Sequence, residues 1–483
     1  MEAGARMGQE ASAEIQIMVE DALRHHQAGR LAEAEQIYRQ ILSVDPQHAD
    51  SLHLLGMAAF QSDDPDTAVE LIRRAIAIHG NAASYHSNLG NVLQAQGKLA
   101  EAGASYQRAL MINPNLPEVY LNLGNIFRAQ GDLDSSLTCH RRALALNPEL
   151  AEAAAAEAMV LLMKGDYANG WHNFERRWQT RDYDTAMRAY PQPLWTGEPL
   201  EARRVLIWGE QGIGDEIMFA GLIPDVVRTG TSCVLDCDAR LQPLFARSFP
   251  GVEVVRSGAA DAADAGVDFA AHLPGGSLPG IFRSSAEAFS ATTSPYLFAD
   301  AEARTRLRNR YADGGKTAES QKLIGLAWHT RNRKSGPQRS IGLELLAPLF
   351  AHPGLRWVSL QYGDHGELEA QAAAAQAPLL IDREVDQLAD MDTFAAQVAA
   401  MDLVVTIDNS TAHLAGALGV PTWVLLPFAP DWRWLESGDE SPWYPTMRLF
   451  RQTQAGDWLS VVQRLGLAIQ TGLAVQAVAL PRE

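Results

Sequence analysis

Five polar residues, Asp408, Asn409, Ser410, Thr411 and His413, crowd into one turn of the stretch TIDNSTAHLAGALGVPTWVLL, Thr406–Leu426. The apolar runs on either side read as buried strands, with a short helix after the turn. A helix starting at Ser410 offers free backbone N–H groups and the positive end of its dipole, a seat for an anion. Ser410 and Thr411 add hydroxyl donors, and His413 lies one turn in. Such a turn suits a diphosphate or a sugar hydroxyl. Asp408, Asn409 and Ser410 are also good N-cap residues, worth about 1 kcal/mol. Capping accounts for one polar residue and leaves the others unexplained.

Three more segments carry chemistry-bearing residues. GEQGIGDEIMFA, Gly209–Ala220, follows an apolar run and lacks the G-x-G-x-x-G of a dinucleotide site. Gly212 and Gly214 permit a tight turn, and Asp215 or Glu216 then opens a helix. Asp215 either caps that helix or faces a cleft as a general base. HTRNRKSGPQRS, His329–Ser340, concentrates Arg331, Arg333, Lys334 and Arg339. These cations form a solvated loop or neutralise a leaving diphosphate. PDWRWLESGDESPWYP, Pro430–Pro445, holds Trp432, Trp434, Trp443 and Tyr444. They pack between domains or stack on a base or sugar ring. No His/Cys cluster has metal-ligand spacing, and no G-x-S-x-G elbow occurs.

The elements that must position these residues fall into two classes. From Arg204 onward, short apolar runs alternate with helical stretches: RVLIWG, CVLDC, VEVV and DFAAHLP, then LIGLAW, RWVSLQY, PLLID, DLVVTID and PTWVLL. Strand–helix alternation predicts parallel sheets covered by helices, with ligands beyond the carboxyl ends of the strands. The charged segment Glu302–Gln321 separates two such sets, and the polar stretch Arg181–Pro199 reads as a linker before them.

The first third is a repeat. Ala34, Ala68 and Ala102 recur at a step of 34, continued by Ser136; Gly56, Gly90 and Gly124 keep the same step. NLGNVLQAQGKLAEAGASYQRALMINP and NLGNIFRAQGDLDSSLTCHRRALALNP align without a gap. This pattern resembles the tetratricopeptide repeat, a helical hairpin that buries its apolar face only by stacking on its neighbours. Four units span about 14–150, with KGDYANGWHNFERRW, Lys164–Trp178, as a degenerate cap. Asn88 and Asn122 are equivalent, as are Asn91 and Asn125. Such a ladder either grips an extended peptide backbone or makes local helix–helix bonds.

The 483 residues carry a formal net charge of −18. That balance repels a nucleic-acid backbone but leaves room for a small anion at a local positive site. The three cysteines, Cys139, Cys233 and Cys237, are an odd, sparse set that predicts a reducing compartment. The start, MEAGARMGQEASAEIQIM, has no basic region followed by an apolar one. No window approaches the roughly 20 apolar residues of a membrane span. A soluble, cytoplasmic protein with no transmembrane segment is expected.

GIGDEIMFA and TIDNSTAHLAGALGVPTWVLL resemble the two signature segments of the heptosyltransferase-like glycosyltransferases of family 9, over about Arg204–Leu473. Solenoid plus transferase is similar to the arrangement of the O-GlcNAc transferases. The nearer match is the bacterial group of tetratricopeptide proteins with a family-9-like domain, whose members show runs similar to EQGIGDEIMFA, RSIGLELLAPLF, SLQ and SPWYPTMRLFRQ. The resemblance implies a GT-B fold of two Rossmann-like domains and an inverting transfer with no catalytic metal and no cofactor beyond a nucleotide-diphosphate sugar as co-substrate. Asp215 matches the acid of the family's Gly-Asp motif, its general base. Asp408 and His413 match the Asp and His of its D-x-G-x-x-H turn on the donor side. Arg339 falls near a basic residue assigned to the donor phosphates. Asn409, Ser410, Thr411, Gln361 and Trp432 complete the expected donor-binding set. Asn409-Ser410 stands where the family has Thr-Gly, so the sugar is not read as heptose.

The expected organisation is a solenoid at 14–180, a linker at 181–203, an acceptor-side domain at 204–301 and a donor-side domain at 321–478. The expected function is transfer of a sugar to a hydroxyl of a protein or glycan acceptor recruited by the solenoid groove at Asn88, Asn91, Asn122 and Asn125. The alternatives are a scaffold whose GT-B part has lost catalysis and a GT-B nucleotide-sugar epimerase.

Overall fold

The structure, a computed structural model, describes residues 2–476 apart from 182, 184, 202, 257–267, 293, 313–320 and 333–334. The chain divides into two compact units, Met1–Val160 and Leu161–Glu483.

The first unit is a helical solenoid of tetratricopeptide repeats. Its hairpins pair Ala49–Gln61 with Pro65–Ile78, Ala83–Ala95 with Leu99–Ile112, and Pro117–Ala129 with Leu133–Leu146, preceded by Glu2–Gln27 and Leu31–Val44. The 34-residue step has a steric cause. A Cβ placed on Gly56, Gly90 or Gly124 would come within 2.9, 2.5 and 2.5 Å of Ile72, Tyr106 and His140, respectively. Each glycine therefore lets its helix lie directly on the large side chain of the partner helix. Ala34, Ala68, Ala102 and Ser136 are fully buried along the same seam. Each hairpin turn passes through a left-handed residue, at Gly29, Asp63, Gly97 and Gly131. Asp63 takes the glycine position at φ 64°, which short polar side chains tolerate best.

The second unit holds two all-parallel sheets. Strands β1 (Arg204–Trp208), β2 (Ser232–Cys237), β3 (Glu253–Arg256) and β4 (Ala271–Pro274) form the first, in the order β3-β2-β1-β4. Strands β5 (Lys322–Ala327), β6 (Leu355–Ser359), β7 (Leu379–Leu380), β8 (Leu403–Ile407), β9 (Thr422–Leu426) and β10 (Met447–Arg451) form the second, in the order β10-β9-β8-β5-β6-β7. Counted from its own first strand, the second sheet has the doubly wound order 3-2-1-4-5-6, and the first sheet has its 3-2-1-4 part. Both orders reverse between the first strand and the fourth, at β1/β4 and at β5/β8. In doubly wound sheets a crevice lies at such a reversal, beyond the carboxyl ends of the strands.

Nine of these strands coincide with apolar runs read from the sequence. β10 does not, because it emerges directly from the Trp-rich irregular segment. The stretch read as a linker also contributes: Leu194 bridges His272 of β4, and Trp195 is buried. The helix Tyr167–Phe174, read as the solenoid cap, belongs to the second unit. All three cysteines are buried and free. No described helix is long and apolar enough to cross a membrane.

Candidate functional site

Strand β8 is buried to its carboxyl end and delivers Asp408 into the β5/β8 crevice. Asn409 caps the next helix, Ser410–Ala417. Its Oδ1 accepts from the Ala412 N–H at 3.2 Å and from Thr406 Oγ1 at 3.0 Å. That helix is buried nearly all round: Thr411 is fully buried and His413 buried, as are Asp408 and Asn409 before it, while Ser410 is half-buried. The His413 ring stacks on Trp434, with centroids 5.3 Å apart, and its Nδ1 lies 3.0 Å from the Tyr444 hydroxyl. Burial, reinforced by the nearby Arg433 cation, pushes the His413 imidazole down to about 3, so the ring is neutral at physiological pH.

The turn after β1 meets this one. Its helix begins at Ile213, two residues before Asp215, so Asp215 sits in the first turn, where its carboxylate accepts from the Gly212 N–H at 3.2 Å. Gly214 lies against Ser410 and His413. A Cβ there would come within 3.2 Å of the His413 ring and 3.4 Å of the Ser410 backbone. Two helix N-termini, one from each sheet, are therefore brought together at one glycine.

Alternating charges link the segments. Arg339 Nη1 lies 3.2 Å from Asp408, and its Nη2 lies 3.7 Å from Asp431. Asp431 pairs with Arg433 at 2.6 Å, and Arg433 pairs in turn with Asp215. Burial pushes the Asp408 carboxyl above its ordinary range against the pull of Arg339. Asp431 is also pushed up by burial, but Arg433 and Arg339 outweigh this and hold it below. Asp408 Oδ2 meets the Arg339 cation, while two side-chain atoms of the turn, Asn409 Nδ2 and Thr411 Oγ1, lack a hydrogen-bond partner. Buried polar atoms are seldom left so, and two in one turn mark a place where something polar is missing.

The other expected donor residues have different surroundings. Gln361 is buried with both ends of its amide engaged. It accepts from the Trp328 and His329 N–H groups at 3.0 and 2.9 Å and donates to the His329 and Tyr362 carbonyls at 3.0 and 3.1 Å. It therefore fixes the loop after β5 rather than offering a hydrogen bond to a ligand. Beside that loop opens a groove of about 370 Å³ lined by Trp328, His329, Ile341, Leu343 and Gln371. Trp432 is only 4% exposed, packed edge-on to Trp171 and Trp443, with the Arg433 guanidinium 4.3 Å over its ring. It has no face open for stacking in this structure. Arg331 is exposed, with its N–H bound to the Tyr362 hydroxyl at 2.8 Å. Arg333 and Lys334 lie outside the described residues.

Sequence reading passed over Asp431 and Arg433, because the aromatic residues around them drew attention to stacking. It also passed over Glu210, one residue after β1's glycine. In the β1/β4 crevice Glu210 is clamped by Arg177 at 2.9 and 3.0 Å, with side-chain exposures of 1% and 2%. The Gly276 N–H and the Tyr183 hydroxyl also donate to Glu210, and Ser277 Oγ accepts from Arg177.

In the solenoid, the asparagines bond chiefly to one another and to the helices. Asn88 Nδ2 lies 2.9 Å from His53 Nε2, Asn122 donates to Asn91 Oδ1 at 3.1 Å, and Tyr106 donates to the same oxygen at 2.8 Å. Asn91 reaches Asn88 at 3.5 Å. Asn125, half-buried, is in none of these bonds. The ladder is thus largely a seam between repeats, the local reading of the two open from sequence.

Tetratricopeptide-repeat families match residues 25–90 and 80–149. The protein FlbA of Caulobacter vibrioides is 33% identical over 336 residues, which cover 65% of this chain and 54% of FlbA. The chain thus spans about half the length of that relative. The UDP-N-acetylglucosamine–peptide N-acetylglucosaminyltransferase of Caenorhabditis elegans is 32% identical over 85 residues of its repeat region, covering 18% of this chain and 7% of that protein. Among solved structures, MamA aligns over 32% of this chain and 91% of its own at 19% identity and a TM-score of 0.31. YrrB, described as a tetratricopeptide-repeat protein with an unusual peptide-binding site, aligns over 33% and 82% at 19% identity and a TM-score of 0.30. A solenoid of tetratricopeptide repeats, a fold suited to protein partners, is followed by an α/β unit of parallel sheets.

Proposed function

We propose that the second unit is a metal-independent, inverting glycosyltransferase of GT-B arrangement, soluble and cytoplasmic, and that the solenoid recruits its protein or glycan acceptor. The observation that carries this reading is the meeting of the Gly209–Asp215 and Asp408–His413 turns at Gly214, with an acid on one side and arginines and unmet polar atoms on the other. The donor-side domain is taken as 321–478 and the acceptor-side domain as 204–301. The donor diphosphate sits at the N-terminus of helix Ser410–Ala417, against Asn409, Ser410, Thr411 and Arg339, and the groove beside Trp328 takes the nucleoside.

In the reaction, the acceptor hydroxyl oxygen attacks the anomeric carbon as the bond to the diphosphate breaks. The electron pair leaves with the diphosphate, and the hydroxyl proton passes to Asp215. Proton transfer of this kind contributes about 10²–10⁴-fold. Arg339 and the helix N-terminus stabilise the charge that develops on the leaving group. The neutral His413 stays uncharged beside it. A screen of nucleotide-diphosphate sugars, read by mass analysis of proteins from cells with and without the gene, tests the reading. Asp215→Asn should abolish transfer and spare donor binding.

A second reading, a scaffold whose α/β unit no longer catalyses, draws on the closure of the site: Asp215 is ion-paired and Thr411 is fully buried. Transfer by the wild-type chain excludes it.

A further inference from the structure

Arg339 and Arg433 come from different elements, the short helix Gly336–Arg339 and the 3₁₀ turn Trp432–Trp434. One carboxylate lies between them: Asp431, with one oxygen 2.6 Å from Arg433 and the other 3.7 Å from Arg339. Two guanidinium groups converging on one carboxylate are the donor set that proteins present to a phosphate. The seat lies beside the turn with unpartnered buried atoms on Asn409 and Thr411. It is also reachable, since the side chains of Arg339 and Asp431 are 24% and 21% exposed. With Asp431 in place, three carboxylates (Asp408, Asp431, Asp215) face two arginines, and a diphosphate would be repelled. With Asp431 withdrawn, two face two.

We infer that Asp431 is a built-in stand-in for the donor diphosphate: the anion binds by displacing it from Arg339 and Arg433. This rests on the transferase reading above and adds the regulation of that same site. The Asp431 side chain is the part that moves: Trp432 and Trp434 are buried and Arg451 holds the Trp434 and Leu435 carbonyls, so the turn behind it stays fixed. Displacement also changes Arg433, which now serves Asp431 and Asp215 together. A diphosphate that draws Arg433 toward itself leaves Asp215 free to accept a proton, so donor arrival prepares the base.

Calorimetric titration of the full-length chain with inorganic pyrophosphate tests this. Asp431→Asn keeps the side-chain shape and removes the competing charge. It should bind pyrophosphate about tenfold more tightly than wild type. Adding Arg339→Gln to the same chain should remove the gain. Equal or weaker binding by Asp431→Asn overturns the inference. Should that variant not fold, hydrogen exchange of the wild-type chain decides. Asp431 accepts from the Arg433 N–H at 3.2 Å, so faster exchange of the Arg433 amide with pyrophosphate supports displacement, and unchanged or slower exchange contradicts it. The two readings fail separately. A pyrophosphate response without transfer from any donor leaves the anion seat and removes the enzyme, and transfer without the response does the reverse.

Discussion

The crevices of the two sheets share a topology and differ in how they are filled. At β1/β4 the acid is Glu210, and the chain supplies its own counter-charge: Arg177 grips it with two hydrogen bonds, both side chains are sealed from solvent, Gly276 and Tyr183 also donate to the acid, and Ser277 accepts from the arginine. At β5/β8 the acid is Asp408. Its arginine is a quarter exposed, and the polar atoms around it are left unmet. A sealed, satisfied ion pair is how a fold closes a crevice it does not use. An unsatisfied one with a solvent edge is how it keeps a crevice for something else.

The largest expected effect tests the sealed crevice. Arg177→Met leaves Glu210 buried without its cation and should destabilise the second unit by about 3–5 kcal/mol. Arg339→Met should cost less than half of that, because water reaches the pair it breaks. Urea unfolding followed by tryptophan fluorescence reads this unit alone, since all 11 tryptophans lie at Trp171 or later. Equal losses in the two variants would erase the difference between the crevices.

The second effect is a pH dependence. In the folded chain His413 is pushed down to about 3 from an ordinary 6.5, chiefly by burial. Between those values the unfolded chain binds the extra proton, so stability falls as pH falls from 6.5 toward 3. The slope is at most about 1.4 kcal/mol per pH unit. His413→Asn should flatten the second unit's loss of stability between pH 6 and pH 4. His53 and His140, both held near 4 by burial in the solenoid, should destabilise that unit over the same range whatever stands at 413. Parallel pH profiles for wild type and His413→Asn would show that the ring is charged in the fold.

The smallest effect separates used from unused hydroxyls. Thr406→Val loses a hydrogen bond to Asn409 and should cost about 1 kcal/mol. Thr411→Val loses none and should leave stability within about 0.5 kcal/mol of wild type or raise it. A clear loss at Thr411 would mean that its hydroxyl has a structural partner.

How much of this was legible in the sequence follows from the range of each interaction. The repeat was readable because its sterics recur: Gly56, Gly90 and Gly124 each sit under a side chain 16 residues on, so the step shows in the letters. Nine strands were readable because each falls in a short apolar run. β10 was not, since MRLFR alternates and follows irregular backbone. The two polar turns were visible as residue types, but their meeting at Gly214 was not. Nor were the Arg433–Asp215 and Arg177–Glu210 pairs, which join residues 218 and 33 positions apart with no local pattern. Asp408 and Asp215 could be named from the chain. Whether each stands free or paired depends on arginines chosen by the tertiary fold.

The central claim is that the β5/β8 crevice takes a nucleotide-diphosphate sugar while the β1 turn supplies the base. Calorimetry of the full-length chain against a panel of such donors tests it most directly, run on wild type, Asp215→Asn and Arg339→Gln. The account predicts that one donor binds wild type and Asp215→Asn alike and binds Arg339→Gln at least about tenfold more weakly. Uptake of no donor by the wild-type chain, or equal uptake by Arg339→Gln, would contradict it.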